Sequence, residues 1–219
     1  MKPSAWLLCT TISLSCYAGL PIQVSHAGEV IILRHGDKDK VRGDFNLSPK
    51  GFLRAIALAR LIPGCFGNPS GISTYYLDPD TSKNARSYQT AVPLGVYTGV
   101  NIRVITDSPE RSFYYGRETR EAIEGSNRLQ VLFWEHRRMP LLAQGLGWKA
   151  MPQIPDDDFD QLILLHYSKP GKPPRVERFS QNTLFRSTCF AKALKSLPLD
   201  VNIAPLLDIG SNSGHRGHK

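Results

Sequence analysis

Two short apolar runs in this 219-residue chain each stop at a histidine flanked by charge. The first is Glu29-Val30-Ile31-Ile32-Leu33, ending in Arg34-His35-Gly36. The second, Leu129 to Trp134, ends in Glu135-His136-Arg137-Arg138. Apolar runs of this length, without polar alternation, read as strands buried on both faces. Such strands occur in parallel sheets with helices on both sides, so the pair already constrains the fold.

The segments between them fit that class. Ser48-Pro49 opens a helix, with Ser48 as N-cap and Pro49 at the first helical position. The helix is expected over Lys50 to Leu61, with Leu53, Ile56, Ala57 and Arg60 at helical spacing, and Pro63-Gly64 ends it. A strand is expected at Ser73 to Leu77, then a helix over Thr81 to Tyr97 kinked at Pro93. Asn101 to Thr106 reads as a strand, Arg117 to Glu124 as a charged helix, and Pro140 to Gln144 as a short helix. Gln161 to Tyr167 and Val176 to Phe179 read as late strands, joined as a hairpin across Pro170 to Pro174. The alternation predicts an α/β domain, a three-layer αβα sandwich with a mostly parallel central sheet. Ligands of such sheets bind beyond the carboxyl ends of the strands, where both histidines sit.

Hydrophobic residues make up 41% and charged residues 21%, which excludes disorder over most of the length. Lys and Arg number 27 against 19 Asp and Glu, a net charge of +8 that favours anionic ligands. The basic residues are spread rather than clustered and no reading motif is present, so nucleic acid is not an expected partner. Lys2, the uncharged stretch Ala5 to Ala18 and Ser25-His26-Ala27 read as a signal peptide over residues 1–27, cleaved after Ala27. The apolar stretch is shorter than the ~20 residues of a spanning helix, so no stable membrane insertion is expected after cleavage. The expected product is secreted or periplasmic: one domain over 28–209 and a disordered tail over 210–219. Cleavage leaves Cys65 and Cys189, which an oxidising compartment bridges if the fold brings them together; otherwise they are two buried thiols. Oligomeric state is not legible.

The groups expected at the strand ends are Arg34, His35, Glu135 and His136, with Arg86 at the start of the second helix. Guanidinium forks match phosphate oxygens. A neutral imidazole attacks phosphorus and holds the phosphoryl group covalently. A second imidazole donates to the phosphoryl oxygens, and neighbouring arginines disfavour protonation of His35. The acidic run Asp156 to Asp160 lacks the spacing and glycine of a calcium loop and reads as a solvated loop or helix cap.

Four motifs, in order, resemble the histidine phosphatase superfamily of phosphoglycerate mutases and acid phosphatases. They are Arg34-His35-Gly36, Leu47-Ser48-Pro49-Lys50-Gly51 with Arg54-Ala55, Arg86-Ser87-Tyr88-Gln89-Thr90-Ala91, and the strand-end His136. Trp134-Glu135-His136 followed by Pro155-Asp156-Asp157-Asp158-Phe159-Asp160 resembles a less studied secreted branch. The resemblance implies His35 as phosphohistidine nucleophile, Arg34 and Arg86 on the phosphoryl oxygens, and His136 completing the pocket. It implies a small phosphorylated substrate and no metal or cofactor. The implied activity is phosphomonoester hydrolysis.

Two positions depart from the better-known patterns: Asp37 follows Arg-His-Gly, and Arg137 follows the second histidine. The general acid is therefore open among Glu135, favoured as the neighbour of His136, then Asp107, then Asp37. The rival expectation is a non-catalytic protein that keeps the phosphate pocket. Gln89, Thr90 and Ala91 are expected to pack and hydrogen-bond behind the site, and Arg54 to be a partly exposed helix residue.

Overall fold

The computed structural model describes residues 28–39, 43–105 and 111–195. The expected signal peptide, Asp107 and the expected tail lie outside the described residues.

One six-stranded sheet runs through the molecule in the order β3-β2-β4-β1-β5-β6. The strands are β1 Gly28–Arg34, β2 Gly71–Thr74, β3 Ile102–Val104, β4 Leu129–Trp134, β5 Gln161–Tyr167 and β6 Arg175–Ser180. β3, β2, β4 and β1 are parallel, while β5 joins β1's other edge antiparallel and β6 pairs antiparallel with β5. The helices are α1 Pro49–Phe66, α2 Ala85–Thr98, α3 Ser112–Ile123, α4 Met139–Gly145, α5 Gln181–Leu184 and α6 Thr188–Lys195. This is the expected αβα sandwich.

The two central strands divide the core. Ile31 and Leu33 of β1, with Val131 and Phe133 of β4, face Leu58, Ile62 and Leu94 of α1 and α2. Val30 and Ile32, with Leu132 and Trp134, face Tyr115, Met139 and Leu142 of α3 and α4. Every apolar side chain of the two runs is therefore buried on one face or the other, which explains the missing polar alternation.

α1 departs from expectation in two ways. It runs through Pro63 and Gly64 to Phe66. Gly64 has no side chain to keep α6 away, since a Cβ there would lie 2.2 Å from Cβ of Ala193. Cys65 is bridged to Cys189 on α6, with the two Cα atoms 5.3 Å apart. Packing and a covalent tie hold the last turn against the proline. The buried face is also rotated: Ala55, Leu58, Ala59 and Ile62 point inward, while Leu53 and Ile56 are exposed. The alanines let the helix lie close to the sheet.

α2 starts at Ala85 rather than Thr81, because Asp78 accepts the backbone N–H groups of Asp80 and Thr81 and makes that stretch a turn. It passes through Pro93 and ends at Thr98. α3 begins at Ser112, ahead of the charged stretch read as a helix, because Tyr115 and Gly116 are buried with it. α5 and α6 are short helices that carry no distinct sequence signal. No helix among the described residues is long and apolar enough to cross a membrane.

The bridge closes a loop with a sequence separation of 124 residues. Replacing both cysteines with alanine should lower unfolding stability by about 2–5 kcal/mol, read by urea denaturation under non-reducing conditions. An unchanged midpoint would show that the pair does not bridge in solution.

Candidate active site

Crossovers set where the site lies. α1 and α2 cover one face of the sheet and α3 and α4 the other, and the chain changes face between β1 and β4. Such a switch opens a crevice beyond the carboxyl ends of the two strands. Arg34 pairs with Trp134 in the register, so His35 and Glu135 leave the sheet side by side. Trp134 is fixed by Tyr115, stacked at 5.3 Å, and by its indole N–H, which donates to Ser112 Oγ at 3.0 Å.

The loop after β1 is held from three sides. Gly36 donates its N–H to Thr90 Oγ1 at 2.9 Å, and that hydroxyl donates to the Arg86 carbonyl at 2.7 Å. Gly36 and Gly51 pass backbone to backbone, since a Cβ on Gly36 would lie 2.7 Å from the Gly51 carbonyl oxygen. Ser48 caps α1 by accepting from Gly51 N–H at 3.1 Å and donates its hydroxyl to the Asp37 carbonyl at 3.0 Å. Gln89 accepts from the Leu47 N–H at 2.9 Å and donates to Asn46 Oδ1 at 2.7 Å. Ser48 is the expected cap, and Gln89 and Thr90 hydrogen-bond behind the site as expected.

His35, Arg86, Glu135 and His136 line one cavity of about 160 Å³. Lys38, Lys83, Arg137 and Asp156 add charge to its walls. His35 is buried, and its Nδ1 donates to the Gly36 carbonyl at 2.7 Å. A carbonyl only accepts, so the neutral ring carries its proton on Nδ1 and its lone pair on Nε2. Burial lowers the imidazole pKa to about 3, and the charges of Arg34, Arg86 and His136 push the same way against the Gly36 bond. Arg86 donates from Nε to the Asn46 carbonyl at 2.9 Å and from Nη2 to the Asp44 carbonyl. Burial lowers its pKa too.

Arg34 does not line the cavity. It is buried, 4.0 Å over the Phe159 ring, and its Nη1 donates to the Pro155 and Asp158 carbonyls at 3.0 and 2.9 Å. Its buried Nε and Nη2 have no hydrogen-bond partner among the described residues. Burial brings the guanidinium down to about 10, which leaves it charged at neutral pH. A buried cation with two unsatisfied donors calls for an anion.

Glu135 is committed to its neighbours. Oε1 accepts from Arg137 Nε at 2.9 Å and lies 2.9 Å from His136 Nδ1, and Oε2 accepts from the Arg137 backbone N–H at 3.1 Å. The buried Nδ1 of His136 makes no hydrogen bond, so its approach to Glu135 is a close contact only. Burial alone would raise this carboxyl; His136 and Arg137 more than reverse that and hold it at about 2. In the free protein Glu135 is thus ionised, contrary to a ready proton donor. Asp37 is tied to Arg54 Nε at 2.7 Å and to Lys50 at 3.0 Å. Arg54 also reaches Gln181 at 3.2 Å. Asp37 and Arg54 together brace the loop and line no part of the cavity.

The run Asp156 to Asp160 is not simply a solvated loop. The Asp158 carbonyl, with that of Pro155 just before the run, seats Arg34, and Asp156 Oδ1 lies 2.5 Å from His136 Nε2 with the carboxylate 81% exposed. Phe159 lies 5.7 Å from the His35 ring. A repeated acidic run points to solvent by composition, and only the tertiary contact shows its second role. Lys38, Phe45 and Lys83 carried no signal either. No group of three or more His, Cys, Asp or Glu among the described residues could hold a metal ion.

No protein-family model matches the chain, and no curated protein matches it. Similar solved structures include a mycobacterial glucosyl-3-phosphoglycerate phosphatase, 19% identical over 70% of this chain and 99% of that one, at TM-score 0.49. The protein histidine phosphatase SixA, solved with tungstate, is 17% identical over 71% and 99% of the two chains, at TM-score 0.46. A phosphoglycerate mutase from Plasmodium falciparum is 14% identical over 71% and 91%, at TM-score 0.43.

Two outcomes follow from the charges. The lowered pKa keeps His35 uncharged when folded, whereas the unfolded imidazole takes a proton below about 6.5. Stability should therefore fall as pH drops from about 6.5 toward 3, by an amount on the order of a few kcal/mol. His35→Gln should flatten this loss in urea titrations at pH 7 and pH 4. Asp156→Asn removes an anion from His136, so inorganic phosphate should bind several-fold more tightly, read by calorimetry; weaker binding would show that Asp156 supports the pocket.

Proposed function

We propose that the chain is a metal-independent phosphomonoester hydrolase of the histidine phosphatase superfamily, working through a phosphohistidine on His35. One observation carries the reading: a buried, neutral His35, protonated on Nδ1 and bare on Nε2, lines a small cavity with His136 and Arg86. A neutral imidazole among cations is poised to attack an anionic electrophile and is unsuited to donate protons.

The reaction has two steps. His35 Nε2 attacks phosphorus as the P–O bond to the alcohol breaks. Arg86 and His136 bind the phosphoryl oxygens, and the unpaired donors of Arg34 add charge behind them. Asp156 leaves His136 when the phosphoryl group arrives, because both claim the same Nε2. Glu135 is the proposed acid despite its low resting pKa. A phosphoryl dianion draws His136 and Arg137 toward itself and loosens the two contacts that hold the carboxylate ionised, so its affinity for a proton rises. The carboxyl group then protonates the leaving alcohol. As the carboxylate it takes a proton from water, which attacks phosphorus and releases His35.

Secretion belongs to the same proposal. The residues 1–27 carry the signal pattern, and the Cys65–Cys189 bridge suits an oxidising compartment. The ionised Glu135 and the Asp156 contact favour one rival, a phosphate-ligand binding protein without turnover.

Hydrolysis of p-nitrophenyl phosphate should persist in EDTA and fall by roughly 10⁴-fold or more in His35→Ala. Alkaline quenching with labelled substrate should trap base-stable, acid-labile phosphate on the wild type only. No turnover at any pH, with phosphate still raising the melting temperature, would leave the binding protein.

A further inference from the structure

The sheet face that meets α3 changes character across its width. Its apolar part is Val30 and Ile32 of β1 with Leu132 and Trp134 of β4. Side chains alternate along a strand, and the register continues the same face to Gln130 of β4, Gly71 and Ser73 of β2, and Arg103 of β3. None of those four is apolar. α3 packs against β1 and β4, so this polar part of the face stands beside the helix. A cavity of about 460 Å³ opens there and shares no lining residue with the one at His35. Ser70, Asn101 and Arg128 place it toward the amino ends of the strands, away from both histidines. We propose that this cavity is a second ligand site, and that it takes a small hydroxylated molecule bearing a carboxylate. The proposal does not depend on the His35 reading.

Polar groups on an inward sheet face are costly unless they are paired or serve a site. Here they are organised. Gln130 Nε2 and the Tyr115 hydroxyl both donate to Ser73 Oγ, at 3.2 and 2.6 Å, and Ser73 is buried. Gly71 makes room for this, since a Cβ there would lie 2.2 Å from Gln130 Oε1. That oxygen accepts no hydrogen bond among the described residues. Thr119 of α3 lines the cavity and is only 9% exposed. Thr90 and Thr98 of α2 donate their hydroxyls to the carbonyl four residues back. Thr119 has no such bond among the described residues, and its hydroxyl stands open to the cavity.

The cation at the mouth sets the ligand class. Arg103 lies 5.2 Å over the Tyr115 ring and makes no hydrogen bond or ion pair among the described residues. Its planar fork of donors is therefore open. Arg128 donates to the Ala122 carbonyl, and Glu118, the one carboxylate among the described lining residues, pairs with Arg111 at 3.3 Å. A carboxylate presents two oxygens in a plane and fills one guanidinium fork. A phosphoryl group presents three and calls for several converging donors, the arrangement at His35 rather than this one. Hydroxyl groups on the same ligand meet Thr119 and Gln130 Oε1, an open donor and an open acceptor. The volume suits a molecule of about sugar size.

Calorimetry with matched probes tests this. Gluconate is sorbitol with one terminal carbinol oxidised to a carboxylate, and glucuronate stands in the same relation to glucose. At least one acid should bind about ten-fold or more tighter than its neutral partner. That preference should vanish in Arg103→Gln. Thr119→Val should weaken the acid by about three- to ten-fold and keep the preference. Arg86→Gln, which removes a cation of the His35 cavity, should leave the acid's affinity unchanged. Parity within both pairs would overturn the proposal, as would an affinity unchanged in Arg103→Gln. Loss of the acid in Arg86→Gln would place it at His35 and overturn the proposal too. Should Arg103→Gln fold poorly, Arg103→Lys answers the same question, because it keeps the charge and loses the fork: several-fold weaker binding supports the site and full affinity overturns it.

Discussion

The parallel pairing of β1 with β4 is the constraint on which the site depends. The register sets Arg34 opposite Trp134, and His35, Glu135 and His136 follow within two residues of that line. Because both strands run straight into charged residues, a slip of one residue would draw Arg34 or Glu135 toward the apolar core. The hydrophobic pattern that folds the sheet therefore also places two imidazoles and a carboxylate at one edge of it.

Around that fixed line the protein accumulates charge it does not balance internally. Arg34 retains two unsatisfied donors, His35 is kept neutral by burial and neighbouring cations, and Glu135 is kept ionised by His136 and Arg137. The open donors of Arg34 are costly without an anion and favourable around one. Asp156 relieves part of the excess: it is mostly exposed, so its departure from His136 costs little packing.

The sheet and its central strands were legible because their signal is local: an apolar run of fixed length ended by charge. So was the Ser48-Pro49 helix start, where one hydroxyl and one missing N–H decide the boundary. The helix end at Pro63 was misread because its support comes from α6, whose Cys189 and Ala193 are remote in sequence. The cavity residues divide the same way. His35, Arg86, Glu135 and His136 stand at element ends and carry motifs. Lys38, Lys83 and Asp156 lie in loops whose composition looks merely soluble, and they enter the pocket only through tertiary packing. The resting charge of Glu135 was equally invisible, since it depends on the angle at which Arg137 folds back.

The contact between Gly36 and Gly51 has a consequence for variation. Neither residue has a side chain to offer a ligand, yet the loop bearing His35 and the first turn of α1 meet there with no room for one methyl group. Substitution at either position would push apart the two segments that Ser48, Asp37 and Arg54 knit together. In a library randomised over the whole chain, these two positions would tolerate as little as the histidine itself, and a search for catalytic groups by mutational intolerance alone would count two residues with no chemistry among them.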